Sequence, residues 1–224
     1  MKKTFLVLGL AGAVLIPTQP AQAIIGLGLN LGQDSYTFES QTYTDLFLAN
    51  SGVNFTRQEM AKPIGVGFYL FIDAIPVVDL ELGGNIFFNR FDVTYVNPTT
   101  EQDISEVFGW ARTAAHLTIQ RKLFKVPMFN VFAGGGLSLH ATVPVLDKKF
   151  MEDFIGSVDR ILIIGKLEDE TISKTGFHIE FGARFKPVLV PFAVNVKYRL
   201  AFVEGIVPDK KSFSTISAGF GFQL

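Results

Sequence analysis

The sequence predicts an all-β protein, an eight-stranded antiparallel up-and-down transmembrane β-barrel. Three observations predict it. Large apolar residues recur at every second position over stretches of about ten residues, the period of a strand with one oily face. The connections between those stretches alternate between short and long, as they do when short turns lie on one side of a membrane and long loops on the other. The chain holds 23 Phe and 21 Gly with a positive mean hydropathy, yet past its first residues it has no apolar run long enough for a membrane helix.

Residues 1–23, MKKTFLVLGLAGAVLIPTQPAQA, place Lys2 and Lys3 before an apolar run from Phe5 to Ile16, with Ala21-Gln22-Ala23 as a small-x-small cleavage site. This is the three-part design of a signal peptide, and the run is too short to span a bilayer as an anchor, which takes about 20 residues. The expected mature domain is 24–224. It has no Cys for disulfide staples or lipid attachment, and a net charge of −1 for the full chain argues against a nucleic-acid partner.

The expected strands follow in order. IIGLGLNLG sets Ile25, Leu27, Leu29 and Leu31 against Gly26, Gly28, Asn30 and Gly32. IGVGFYLFID sets Ile64, Val66, Phe68, Leu70 and Ile72 against Gly65, Gly67, Tyr69, Phe71 and Asp73. VDLELGGNIFF sets Val78, Leu80, Leu82, Ile86 and Phe88 against Asp79, Glu81, Gly83, Asn85 and Phe87. RTAAHLTIQR is weaker, with Ala115, Leu117 and Ile119 opposite Arg112, His116, Thr118 and Gln120. FNVFAGGGLSLH, GFHIEFGARFK and FAVNVKYRLAF repeat the pattern, and the stretch from Phe213 to Leu224 is the eighth strand. Short proline-bearing turns fall near DAIPV, KLFKVP and KPVLVP; the long connections run over residues 33–63, 97–106, 141–174 and 204–211. An even strand count puts both termini on the short-turn side.

The ending SAGFGFQL resembles the C-terminal signal that barrel-insertion machinery reads in outer-membrane proteins, with Ser217, Gly219, Phe222 and Leu224 at the signal's spacing. Over its whole mature length the chain is similar to the small eight-stranded barrels of the OmpA, OmpX and OmpW type. That resemblance implies a bacterial outer-membrane location, surrounding outer-membrane lipid, the barrel-assembly machinery as a partner during insertion and, on the OmpW side, a small hydrophobic cargo.

Strand parity points Asp79, Glu81 and Glu180 inward together with Arg112, Arg184, Lys197 and Arg199. Three acids can largely pair with four bases, and charges this secluded must pair to be tolerated. An eight-stranded barrel is barely wide enough for its own side chains, so a salt-bridged plug is the first expectation. The same charges in a conducting lumen would set ion selectivity, and inward Tyr69, Phe71, Phe87 and Phe132 would either fill the core or line a narrow apolar pocket. Outward rings fit aromatic girdles: Phe129, Phe185, Phe192 and Phe222 on the turn side, Phe88, Phe177 and Phe202 on the loop side. Trp110 falls inward, out of place for a girdle, unless a bulge near Gly109 re-aims it.

In the third long loop, DKKFMEDFIGSVDRILIIG groups Phe150, Phe154, Val158, Ile161 and Leu162 on one helical face between Asp147 and Gly165. It reads as a short helix over the barrel mouth, with a lid or an extended strand at Ile161–Ile164 as alternatives. Ser138 and His140 share a strand face and Glu152 follows, a loose Ser–His–acid pattern. Both point inward, away from any lipid substrate, so no enzyme activity is expected and a lipid-modifying enzyme is the second alternative. With three His and no Cys, neither metal nor cofactor is expected. The expected role is structural or loop-mediated binding around a filled interior. The first alternative is a narrow conduit for small solutes or hydrophobic molecules. A soluble calycin-like barrel would invert every inside–outside assignment.

Overall fold

In a bilayer no water is present to satisfy a strand's free edge, so a sheet that crosses it must close. The computed structural model describes residues 24–48, 51–73, 78–96, 102–145, 170–187 and 190–223. Its strands are β1 (Ile24–Asp34), β2 (Gln41–Leu48), β3 (Ser51–Arg57), β4 (Ile64–Asp73), β5 (Asp79–Val96), β6 (Asp103–Val126), β7 (Phe129–Thr142), β8 (Ile172–Phe185), β9 (Phe192–Phe202) and β10 (Ser212–Gln223). Eight of them form a ring in which β10 pairs with β1, β1 with β4, and β5 with both β4 and β6, every pair antiparallel. Paired residues can be followed once round it, from Phe213 through Ala201, His178, Gly136, Thr118, Glu81, Phe71 and Gly26. The path returns to β10 at Gln223, ten residues along. A stagger of ten over eight strands tilts them by about 40° and gives a wall radius of about 8 Å.

The eight expected segments all lie in ring strands. Their outward faces are exposed and apolar: Leu29 is 71 % exposed, Leu31 67 % and Leu137 62 %, while Glu81 and Glu180 are buried. That excludes the inverted, soluble arrangement. Phe177 stacks on Phe202 at 4.7 Å, and Phe192 lies 5.2 Å from Phe220 and 5.7 Å from Phe222.

Three expectations need correction. The first long connection is not all loop: β2 and β3 form a hairpin, and Phe55, Thr56 and Arg57 of β3 pair with β5 beyond the ring. The second connection is shorter than expected, because β5 runs on to Val96 and β6 begins at Asp103. No bulge re-aims Trp110: the pairs Asn89↔Trp110 and Arg90↔Gly109 continue the register, and Trp110 is buried facing inward. The reason is an inversion of polarity. Up to Phe88 the apolar residues of β5 other than Phe87 face out; beyond it Arg90 and Asp92 face out while Phe91 and Val93 are buried. Above the lipid the outside is water, and the same strand parity buries rings instead of charges. The helix expected between Asp147 and Gly165, Glu152, residues 1–23 and Leu224 lie outside the described residues.

The narrow lumen fits its side chains only where the wall is bare. The Tyr69 ring lies against Gly28 of β1 and Gly221 of β10, and a Cβ on either would collide with it. At Gly109 a Cβ meets nothing within 4 Å. Gly28→Val and Gly221→Val are therefore expected to destabilise the barrel by about 1–3 kcal/mol, read as a lower temperature for the heat-induced shift in gel mobility. Gly109→Ala should leave that temperature unchanged.

Candidate functional site: a closed lumen beneath an aromatic cap

Each inward position of a strand is one layer of the lumen, and β1, β4, β5, β6, β8 and β9 deliver its charges. At the short-turn end Lys122 lies 2.6 Å from Asp73 and 3.2 Å from Asp79. A bulge between Lys122 and Phe124 keeps Lys122 turned inward while the strand continues past it. Arg184 is held there by rings, its guanidinium 4.0 Å from the Phe71 centroid and 5.3 Å from that of Phe132.

The next layer crosses the lumen from wall to wall. Lys197 is ion-paired with Glu81, and Arg199 donates to Glu180 through Nη2 at 2.6 Å and Nε at 3.0 Å. Gln120 joins the two pairs, its Nε2 donating to Glu81 at 2.9 Å and to Glu180 at 2.8 Å. Glu81, Gln120, Glu180 and Lys197 are all buried. Asn195 donates to the Tyr69 hydroxyl at 2.7 Å, and the Lys197 ammonium sits 4.6 Å from the Tyr69 ring centroid. Charges in this setting hold one another: removing one partner leaves the other uncompensated in a medium of low dielectric.

Above this layer the three histidines stack edge to face, His116 lying 5.4 Å from His178 and 5.7 Å from His140. Arg112 then binds Asp34 through two nitrogens, with contacts of 2.6, 2.9 and 3.2 Å, and Thr215 donates to the same carboxylate at 2.6 Å. Phe87 and Phe213 sandwich the guanidinium at 4.4 and 4.8 Å. Arg112 Nη1 is 3.0 Å from His140 Nδ1, and His140 Nε2 is 3.0 Å from Ser138 Oγ. Because a guanidinium only donates, Nδ1 accepts and Nε2 carries the proton that Ser138 receives. A nucleophilic serine needs the opposite arrangement, with the histidine accepting. Among the described residues no group of three or more acids and histidines is placed to hold a metal ion.

Over the charges sits an apolar cap at the loop end. Tyr36 packs edge-on against Phe38, Trp110 and Phe213 at 5.4–5.9 Å. Phe38 and Met60 exchange backbone hydrogen bonds of 3.1 and 2.9 Å, which tie the chain after β1 to the chain after β3. Phe55, Phe91, Phe108, Ile206 and Val207 belong to the same cluster.

All seven residues expected in the interior network line the lumen, and Asp79, Glu81, Arg112, Glu180, Lys197 and Arg199 are in ion pairs. Arg184 is among aromatic rings instead. The expected network left out Asp34, Asp73 and Lys122, which bring the interior to five acids and five bases among the described residues. Asp34 continues the inward parity of Asn30 and Gly32, and Lys122 that of Thr118 and Gln120, so extending the alternation by one position finds both. Of the terminal signal, Ser217 and Gly219 follow the inward parity, Phe222 is exposed outward, and β10 pairs with β1 and β9 along its length.

Glu81→Gln and Lys197→Met made singly should each cost about 3–5 kcal/mol, because each strands the other charge. Together they should cost less than the sum of the two. Urea unfolding of the barrel in lipid vesicles measures all three variants.

Neither any family model nor any curated protein matches the chain. Solved structures do. Neisserial surface protein A is similar over 89 % of this chain and 97 % of its own, with a TM-score of 0.52 and 12 % identity. The Yersinia pestis attachment invasion locus protein Ail, solved with the heparin analogue sucrose octasulfate, covers 90 % and 99 % with a TM-score of 0.46 and 12 % identity. The N-terminal β-barrel domain of Pseudomonas aeruginosa OprF covers 91 % and 100 % with a TM-score of 0.46 and 9 % identity. The chain thus has the fold of the small outer-membrane β-barrel proteins.

Proposed function

We propose that the protein is a non-conducting barrel of the bacterial outer membrane that anchors a structured extracellular platform, and that binding takes place on that platform. The carrying observation is the buried Glu81–Lys197, Gln120 and Glu180–Arg199 layer, which crosses the lumen from wall to wall. A conducting pore needs a continuous water path with charges that ions can reach. Here the charges are spent on one another, and the aromatic cap lies above them.

The platform has a physical basis. About 9–11 residues of tilted strand cross a bilayer, whereas β5 has 18 residues and β6 has 24. The surplus rises above the lipid with its rings turned inward, and the β2–β3 hairpin adds to it through β5. A purely structural protein has no need of an apolar core outside the membrane; a binding surface needs one, because loops bind best from a rigid support. The outer-membrane location draws support from the lipid-facing belt, the signal-like first 23 residues and the fold shared with outer-membrane proteins.

Recording across planar bilayers tests the reading. The wild-type protein is expected to give no discrete current steps, and the Glu81→Gln, Lys197→Met double variant none or only brief ones. Steady steps from the wild type would establish a channel instead, and uptake of small apolar solutes into vesicles without current would establish a hydrophobic conduit. Joining residues 40 and 58 by a short glycine linker, which removes the hairpin, should leave the barrel folded and heat-modifiable.

A further inference from the structure

The short-turn end carries a feature that neither the closed lumen nor the platform uses. The last pair between β5 and β6 is Asp79↔Gln120, yet β6 runs on six more residues to Val126, paired only with β7. This projecting hairpin does not turn polar as it leaves the ring. The bulge after Lys122 turns both Leu123 and Phe124 outward, 62 % and 55 % exposed, and Val126, Met128 and Phe129 are exposed beside them. Lys186 donates its backbone N–H to Met128 O at 2.8 Å, which joins the hairpin tip to the end of β8.

Basic residues accompany the exposed apolar ones. Arg121 and Lys125 are exposed and Lys186 is half-buried; none of the three is in an ion pair among the described residues, and Lys125, opposite Asn130 on the inward parity, acts on Asp73 only through space. At this end of the barrel the described chain has Arg121, Lys122, Lys125, Arg184 and Lys186 against Asp73 and Asp79 alone, and both of those acids are occupied by Lys122. Arg121 follows Ile119 on the lipid-facing parity and lies opposite Ala133, with exposed Ile119 and Leu123 on either side of it along the strand.

Apolar side chains interleaved with unpaired cations at a membrane boundary match the chemistry of an interface with anionic lipid: the apolar groups enter the acyl boundary and the cations meet the headgroups. We propose that the β6–β7 hairpin is an anionic-phospholipid site on the leaflet facing the short turns, with Arg121, Lys125 and Lys186 contacting headgroup phosphates and Phe124, Val126 and Met128 seated among the acyl chains. The site continues the lipid-facing belt, and the charge complementarity selects the lipid class.

The test uses the full-length folded protein in detergent, equilibrated with equal amounts of phosphatidylglycerol and phosphatidylcholine, repurified and analysed by mass spectrometry for bound lipid. Phosphatidylglycerol should be enriched by about fivefold for each cation engaged. The R121Q/K125Q/K186Q variant should lose the enrichment while keeping its heat-dependent gel shift. Equal retention of the two lipids by the wild type, or undiminished enrichment in the folded variant, overturns the site. If the variant does not fold, raised salt on the wild type decides: the enrichment should fall, and enrichment indifferent to salt overturns the proposal equally.

Discussion

Everything in this molecule follows from the absence of water in the bilayer. A strand crossing it must have both edges paired, so β10 has to meet β1 and the ring must close. Closing eight strands with a stagger of ten fixes a wall radius of about 8 Å. At that radius the inward side chains meet across the axis, and a charge placed there has only other side chains to answer it. The ion pairs follow from closure, as do the glycines that make room for Tyr69 and the aromatic sandwich around Arg112. The net result is an interior in which, among the described residues, five acids and five bases share one confined space, with Gln120 and Arg199 each reaching both Glu81 and Glu180.

The membrane boundary is written into each strand as a reversal of which face is oily. Along β5 the reversal falls after Phe88, along β6 near Trp110, and on the last strand near Phe213. Below it lipid surrounds the barrel and charges face inward; above it water surrounds the wall and rings face inward. This reversal lets one continuous strand serve two solvents without a break in register, as the unbroken pairing of β5 with β6 from Asp79↔Gln120 to Val96↔Asp103 shows.

The membrane half was the legible half. Alternation of large apolar residues with glycine and charge located all eight ring strands, and simple parity placed Glu81, Arg112, Glu180, Arg184, Lys197 and Arg199 in the lumen. The extramembrane half was harder to read because the signal changes sign there. Trp110 looked misdirected only under the assumption that lipid still surrounded it. The β2–β3 hairpin is short, and although its Phe55 is deeply buried, it has too little periodicity to distinguish a strand from a loop. Asp34 and Lys122 escaped because each lies one alternation beyond the point where the oily pattern stops. Strand ends are set by pairing with neighbours, and pairing is not visible in a strand's own residues. That Arg184 lies among Phe71 and Phe132 depends on which strands adjoin, which also cannot be read from parity.

The chain contains no cysteine, so a single one can be introduced at any site without background. The most direct test of the account places one cysteine at a time along β4 and β6, attaches a spin label, and compares relaxation by oxygen, which partitions into lipid, with relaxation by a water-soluble nickel chelate. The account expects outward sites such as Val66, Phe68 and Leu117 to respond to oxygen and ignore nickel, and inward sites such as Thr118 and Gln120 to be shielded from both. Nickel reaching Thr118 and Gln120 would mean an open, water-filled lumen and would contradict the closed interior; nickel reaching Phe68 and Leu117 would contradict the membrane barrel itself.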